Sequence, residues 1–412
     1  MIKEIFGIAG RNILRNRRRT ILNMIALIVG MSIMIASIGW VRGYFTTLYN
    51  GMIRLDTGHI QVVHQDYLDE ERRLPLDLLV EDYHSIRSRL AENDFVQTAS
   101  GRIQFELELG NGREYMPMRG RAVDPQYETA VTDIQKYLVD GEYLGSGNDA
   151  GVMLGSDAAD LLDVEVGDAV YVRVRDRFGA PNTAVLNLTG IFSTGYPLFD
   201  RYTAVSELAW TADFLRLSDA VTHIVIRLEH GSPESAVESL QDDLPGQMQA
   251  YPWRRFAQTM IALVEADIGS FVILMGILFL LILLGILNSM SMAVRERGRE
   301  IGTMRAIGLK RRNLHQMLLA ESVVIGVISA AAAAVIGGGF AAYVQFVGFD
   351  VAQFMPPDLP VPFGDRFYGD YRLSDFLVSA AVGIGSAMLG TLLPARRAVR
   401  LNIVDTMRSG TL

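Results

Sequence analysis

The chain has 412 residues, of which 50% are hydrophobic and 20% are charged, with a net charge of −8 and a mean hydropathy of +0.22. This composition excludes a disordered protein, which requires low hydrophobicity and high net charge. The chain contains no cysteine, which excludes disulfides, thiol catalysis and cysteine-bound zinc. A positive mean hydropathy in an acidic chain indicates apolar segments joined to a polar domain.

Residues 1–19 form a basic segment ahead of the first apolar run. Ile2, Ile5, Phe6 and Ala9 recur at helical spacing, and the basic side chains lie off that stripe. The pattern predicts an amphipathic helix on the cytoplasmic leaflet. An unstructured basic tail is the alternative.

Four strongly apolar stretches predict membrane-spanning helices, because a helix of about 20 apolar residues crosses the hydrocarbon core. The third is predicted to start at His315, and its uncharged part runs from Ser322 to Phe349. The predicted spans are 20–41, 268–294, 315–349 and 376–395. The first is longer than the apolar core of a signal peptide, which favours a retained helix.

Basic residues set the predicted orientation. The segments 1–19, 295–320 and 396–412 contain 17 of the 38 lysine and arginine residues and four acidic residues. Such segments face the cytoplasm. Both termini are therefore predicted to be cytoplasmic, and residues 42–267 and the short loop 350–375 are predicted to face outward.

The outward segment 42–267 is predicted to be an α+β domain between helices 1 and 2. Alternating patterns predict strands near 58–64, 102–109, 170–175 and 221–228. Helical patterns lie near 81–90 and 233–244. We expect a strand-rich insertion at about 101–219, with the flanking pieces packed together. Residues 253–267 predict a helical stalk that continues into the second span.

Catalytic and metal-binding motifs are not evident. His59 and His64 fall on opposite faces of a predicted strand, and Glu106 and Glu108 fit a solvated strand surface. The three lysines are Lys3, Lys136 and Lys310, and none follows glycine and precedes serine or threonine, as in a phosphate-binding P-loop. We therefore expect no catalytic or metal site, and ATP binding on another chain if ATP drives the protein.

Small residues are dense in the third and fourth predicted spans, and include Gly326, Gly337, Gly383 and Gly390. Such residues allow helices to approach closely. The pattern fits packing within one chain and packing between two copies equally well.

The segment 295–314 joins the second and third spans and is strongly basic. Ile301, Met304 and Gly308 recur at helical spacing, which predicts a short helix whose small apolar knob fits a groove on a partner. Anchoring to anionic lipid is an equally weighted alternative.

The same segment resembles the defining motif of the FtsX-like permease family, roughly R-x-x-E-I-G-x-x-x-A-x-G followed by L-x-E at the next span. Residues that match are Arg297, Glu300, Ile301, Gly302, Ala306, Gly308 and Glu321. Three further segments also resemble stretches typical of this family: 151–168, 188–195 and the closing Pro394-Ala-Arg-Arg-Ala. The resemblance covers essentially the whole chain.

This resemblance implies the non-catalytic permease subunit of a mechanotransmission ABC transporter in the bacterial inner membrane. It implies a separate ATPase subunit carrying ATP and magnesium, a second permease copy or paralogue, and no role for nucleic acid. The ATPase-coupling residues it implies are Arg297, Glu300, Ile301, Gly302, Met304, Arg305, Ala306, Gly308 and Leu309.

Length, architecture and the separate ATPase fit the lipoprotein-releasing LolC/LolE type best, with a lipoprotein or other envelope substrate as cargo. One departure is the connection at 174–183, which is short where LolC-like chains carry a long hook hairpin that recruits a periplasmic carrier. An alternative is a signalling or scaffold permease that controls a periplasmic enzyme. A secondary carrier is disfavoured because no formal charge within the predicted spans faces the bilayer centre.

Overall fold

The structure is a computed structural model that describes residues 17–145, 150–350 and 366–400. The described chain divides into two compact units. The membrane unit comprises residues 17–46, 263–350 and 366–400, and the sheet unit comprises residues 47–262 apart from 146–149. The predictions for residues 1–16, for 351–365 of the short loop and for 401–412 lie outside the described residues.

The first helix, α1 (Arg17–Met52), extends beyond the predicted span 20–41 at both ends and passes directly into a π-helical turn, Ile53–Thr57. The apolar run marks only the part that lipid would cover, and no proline interrupts the residues after it. The helix stops at Gly58, whose φ of 60° and ψ of −166° suit glycine. A side chain there would collide with Val225 and the carbonyl of Ile226.

The sheet unit is an α+β structure, and its bounds are as follows. Its strands are β1 (Ile60–His64), β2 (Val80–Glu81), β3 (Val96–Gly110), β4 (Tyr115–Val123), β5 (Leu138–Gly141), β6 (Gly151–Gly155), β7 (Ala169–Arg175), β8 (Pro181–Phe192), β9 (Thr203–Glu207), β10 (Ala220–Val221), β11 (His223–Leu228) and β12 (Met248–Pro252). Its helices are α2 (Tyr67–Glu70), α3 (Tyr83–Ala91), α4 (Pro125–Val131), α5 (Ser156–Leu162), α6 (Pro197–Tyr202), α7 (Leu208–Leu215) and α8 (Pro233–Gln241).

One mixed sheet runs through this unit in the order β12-β1-β11-β3-β4-β9-β6-β8-β5, and β7 pairs with β3 and β8. The main sheet continues across the expected boundary at about 101, because the 15-residue strand β3 pairs with strands on both sides of it. Its first half pairs with β11 and its second half with β4 and β7. Strand β1 pairs with β11 and with β12.

Helix α3 shows how the core forms on this sheet. Its buried residues Tyr83, Ile86 and Leu90 follow helical spacing and face the main apolar cluster. The backbone N–H of Gly101 donates to the hydroxyl of Tyr83 at 3.0 Å. A larger residue than Gly101 would collide with the Tyr83 ring, so the glycine permits the close approach of helix and strand.

After the sheet unit, the chain forms α9 (Gln258–Glu296), α10 (Gly298–Ala306), α11 (Arg311–Phe346), two short strands β13 (Phe349–Asp350) and β14 (Arg366–Phe367), and α12 (Leu373–Arg400). Together with α1, helices α9, α11 and α12 are long and apolar enough to cross a membrane. Most of the predicted stalk is part of α9. Its first residues, Trp253–Arg255, instead form a 3₁₀ turn, because Trp253 is buried and its N–H donates to His59 at the edge of β1.

Several small residues of α11 and α12 pack within the chain, whereas Gly339 and Gly385 have no neighbour within 4 Å of a built Cβ. Gly326 faces Ile384, Gly337 faces Ser32, and a side chain at Gly390 would collide with Ile286. The hydroxyls of Ser322 and Thr391 lie 2.5 Å apart between α11 and α12. Gly326, Gly337 and Gly390 therefore pack within one chain, which is one of the two alternatives that the sequence left open.

At the other end of these helices, Arg42 of α1 forms a two-pronged ion pair with Asp375 of α12. Its Nη1 and Nη2 lie 2.9 and 2.8 Å from the two carboxylate oxygens. The hydroxyl of Tyr371 donates to the carbonyl of Ala36 at 3.0 Å. The pair fixes the start of α12 against α1.

Candidate functional site

The connection between α9 and α11 contains the nine-residue helix α10, which stands where the sequence predicted a short coupling helix. It ends in a Schellman motif, in which Gly308 N–H donates to Arg305 at 3.1 Å and Leu309 N–H donates to Met304 at 3.0 Å. Gly308 has a φ of 102°, and a Cβ there would have no neighbour within 4 Å. Backbone conformation is therefore what requires glycine at this position.

A buried ion pair joins the start of α10 to α11. Nη1 of Arg297 lies 3.2 and 3.1 Å from the two carboxylate oxygens of Glu321. The side chains are only 10% and 6% exposed. Both residues belong to the recognised motif, and they hold the chain's own connection together.

The apolar side of α10 also packs inside the chain. Ile301 is 2% exposed. Met304 and Leu309 pack at the edge of the same cluster. The buried cluster consists of Val294, Ile301, Leu314, Met317, Leu318, Ala395 and Ala398.

These contacts correct the expectation that Ile301 and Met304 form the knob that enters a partner's groove. The helical stripe was correct, but the partner of that stripe is the protein itself. Gly302, next to Ile301, is buried as well. Any contribution of Ile301 to coupling must therefore act by holding α10 in place.

Arg305 ties the helix to a third element. Its Nη1 donates to the carbonyl of Val399 at 3.2 Å. Val399 lies in the last turn of α12, where carbonyl groups have no partner within the helix. Helix α10 is thus held by α11 and α12 together.

Several residues of α10 and of the turn after it are exposed. Glu300, Thr303, Ala306 and Gly308 are exposed, and Ile307 directly after the helix is 81% exposed. The apolar stripe of Ile301, Met304 and Gly308 did not single out Ile307, which follows the end of α10. An isoleucine within the basic segment 295–314 was the available signal.

Basic side chains follow this exposed isoleucine in the chain. Lys310, Arg311 and Arg312 are exposed at the start of α11. The connection therefore presents an exposed apolar side chain next to a basic stretch, on a base fixed by an ion pair and an apolar cluster. An exposed apolar side chain next to basic residues suits contact with a protein surface and contact with anionic lipid.

Among the described residues, no group of three or more histidine, cysteine, aspartate or glutamate side chains is arranged to hold a metal ion. His59 Nδ1 accepts the N–H of Leu228 at 3.3 Å, and His64 lies beside Asp66. Glu106 and Glu108 are exposed and stand opposite Arg119 and Pro117 of β4.

Comparison with known families matches almost the whole chain. A family model described as the MacB-like periplasmic core domain matches residues 20–243, and one described as the FtsX-like permease C-terminal domain matches residues 272–403. The second match contains α10, the Arg297–Glu321 pair and Ile307.

Named relatives match over most of their own length. The lipoprotein-releasing system transmembrane protein LolC of Xylella fastidiosa is 24% identical over 76% of this chain and 78% of its own length. The corresponding protein LolE of Haemophilus influenzae is 21% identical over 93% of both chains. An ABC transporter permease of Bacillus subtilis, YvrN, is 24% identical over 98% of this chain and 99% of its own.

The MacB-like match covers more than half of the chain by itself, and the FtsX-like match contains the segment 295–314. The four apolar helices and the separate α+β unit fit both descriptions. The chain therefore belongs to the family of FtsX-like, MacB-type ABC transporter permeases.

Proposed function

We propose that this chain is a non-catalytic permease subunit that couples ATP hydrolysis on a separate ATPase subunit to movement of its own sheet unit. The observation that carries the proposal is the two-sided character of α10. One side is fixed to α11 and α12 by the Arg297–Glu321 pair and the Ile301 cluster, and the other presents Ile307. A docked helix that is rigidly held by its own chain can transmit a push to the membrane helices.

ATP and magnesium belong to the ATPase subunit in this proposal. The lysines of the chain do not occur in a P-loop sequence. The residues proposed to serve coupling directly are Glu300, Ala306, Ile307 and Gly308. Those proposed to position the helix are Arg297, Ile301, Gly302, Met304, Arg305 and Leu309.

The proposed location is the bacterial inner membrane, with both termini and α10 in the cytoplasm and the sheet unit in the periplasm. The basic segments 1–19, 295–320 and 396–412 support this orientation by the positive-inside rule. The description of the domain match as periplasmic agrees with it.

We further propose that the cargo is a lipoprotein taken from the membrane, with a second copy or a related permease completing the complex. The support is the match to LolC over 78% and to LolE over 93% of their own lengths. The cargo would be moved by the sheet unit on the outer side of the membrane.

One observation favours a second candidate function. The hairpin between β7 and β8 turns within five residues, and Asp176 N–H closes it by donating to Ala180 at 2.9 Å. A turn of this size is not a long docking hook. Control of a periplasmic enzyme, or export of another envelope substrate, is therefore the alternative to lipoprotein release.

Purification of the tagged chain in mild detergent, followed by mass spectrometry, tests the proposal. We expect a small P-loop ATPase, together with lipoproteins, and a related permease if the complex is a heterodimer. Recovery of the ATPase with a periplasmic hydrolase would favour the alternative. Absence of any ATPase from an otherwise intact preparation would refute the coupling function.

A further inference from the structure

The end of the first helical segment is held by the sheet unit through its backbone. The last carbonyl groups of a helix have no partner within the helix. Here Arg54 O accepts from Asp133 N–H at 2.8 Å, and Leu55 O accepts from Arg121 Nη1 at 2.9 Å. Asp56 O accepts from Arg102 Nη1. Three successive carbonyls are thus bound by three different parts of the sheet unit.

We call this arrangement the helix socket, formed by Arg102, Arg121 and Asp133 around residues 54–56. It lies at a π-helical turn, a conformation often found at functional positions. Ordinary helix ends are satisfied by solvent or by one local cap. A socket built from two arginines of neighbouring strands is a stronger and more specific fixation.

The arginines of the socket are themselves fixed. Arg102 is fully buried, and its Nη2 and Nε lie 2.5 and 3.1 Å from Glu128 Oε1. Thr132 Oγ1 donates to the same carboxylate at 2.9 Å. Burial acts to raise the pKa of Glu128, but the charge and hydrogen bonds of Arg102 bring it below its usual value. Glu128 is therefore a permanent anion that locks the guanidinium on β3.

Arg121 makes the second ionic contact. It also pairs with the carboxylate of Asp56 through Nη2. Its side chain is nearly buried, whereas the Asp56 side chain is partly exposed. Arg121 therefore joins β4 to the helix end by two donors at once, a geometry that a lysine cannot reproduce.

The connection before α9 is built differently. Strands β1 and β12 are neighbours, so both helical connections leave the sheet unit from adjacent strands. The turn Trp253–Arg255 is 3₁₀, and Arg254 and Arg255 are exposed. This turn is anchored by the buried Trp253, whose ring lies 5.3 Å from that of Tyr49. The two connections therefore differ: the end of the first helical segment is held by charged side chains, and the turn before α9 is held by the packed indole of Trp253.

We infer that the helix socket is the joint through which displacement of α1 is transmitted to the sheet, and that Arg121 is a positioning residue for this transmission. The inference rests on the proposed function, because it requires nucleotide-driven movement of the membrane helices. It predicts that loosening the socket uncouples the sheet unit while the membrane helices continue to respond.

The absence of cysteine allows a direct test by paired spin labels in the full complex with its ATPase, reconstituted in lipid nanodiscs. One label pair uses the exposed positions Phe178 and Leu373, both changed to cysteine. The distance between these labels reports movement of the sheet unit relative to the start of α12. Exposed positions Leu22 and Leu389, labelled in a second sample, report on α1 relative to α12. Distances are measured with and without ATP and vanadate.

In the otherwise unchanged protein, both label pairs are expected to shift on nucleotide trapping. In Arg121→Gln, the 22/389 shift is expected to persist and the 178/373 shift to fall by at least half. The matched control is Arg119→Gln, an exposed arginine on the same strand, for which both shifts should match the parent. If Arg121→Gln lowers the melting temperature markedly, Arg121→Lys replaces it, with the same expected loss.

A 178/373 shift of parental size in a folded Arg121 variant would overturn the inference and leave the proposed function standing. Absence of a 22/389 shift in the parent would instead refute the proposed function itself. The two failures are therefore distinguishable.

Discussion

Nη1 of Arg297 lies 3.1 and 3.2 Å from the two carboxylate oxygens of Glu321, 24 positions further along the chain. Removal of one partner from a buried pair leaves the other charge without compensation and destabilises a protein by about 3–5 kcal/mol. We expect Arg297→Ala to lower the melting temperature of the detergent-solubilised protein and to increase proteolysis near α10.

The control is Arg311→Ala, an exposed arginine of the same segment, whose melting temperature should equal that of the parent. Arg297→Lys retains the charge, and its melting temperature should lie between those of Arg297→Ala and Arg311→Ala. Equal melting temperatures for Arg297→Ala and Arg311→Ala would show that the pair does not stabilise the connection.

The Schellman turn after α10 gives a second prediction. Gly308→Ala introduces no collision, since no atom lies within 4 Å of the new Cβ, but it places alanine at a φ of 102°. The cost is about 1–2 kcal/mol of backbone strain. Gly339→Ala, within α11 and equally free of neighbours, should instead be neutral or slightly stabilising. Thermal unfolding of the two variants should therefore show opposite or clearly unequal shifts.

His223 gives a prediction on pH. Burial, reinforced by the charge of Arg102, lowers the pKa of His223 from 6.5 to about 3. Below about pH 6.5, His223 therefore binds a proton in the unfolded chain but stays neutral in the folded chain. The free energy of unfolding consequently falls as the pH decreases from 6.5 towards 3. The slope contributed by one such group is about 1.4 kcal/mol per pH unit.

Unfolding of the parent and of His223→Gln, measured between pH 7 and pH 5, checks this sign. The amide can keep a hydrogen bond to the Thr222 hydroxyl, which lies 2.7 Å from Nδ1. We expect the parent to lose stability more steeply than the variant. Parallel curves would mean that His223 is not held neutral by the fold.

The sequence predicted the four apolar helices because charge-free runs have a direct physical cause in the membrane core. It also located four strands of the main sheet, since β1, β3, β7 and β11 follow alternating patterns. It did not predict one continuous sheet, because the amino-acid sequence of β3 does not show that its two halves pair with different strands.

The sequence predicted where the short helix between the second and third spans lies, but not which side of that helix is covered. A stripe such as Ile301 and Met304 shows that one side of a helix is covered, yet it does not say by what. The structure shows that α11 and α12 cover it and that Ile307 is left open. Similarly, Arg102 looks like any polar residue in a strand, because its partner Glu128 is 26 positions away.

The central claim is that the open side of α10 docks on an ATPase subunit through Ile307. The most direct measurement is the affinity of the purified ATPase for the reconstituted permease carrying Ile307→Glu, with Phe178→Glu as the control. Both side chains are highly exposed, at 81% and 73%, and they belong to different units. We predict an affinity at least tenfold weaker for Ile307→Glu at an unchanged melting temperature, and parental affinity for Phe178→Glu. Parental affinity for a folded Ile307→Glu protein would contradict the account.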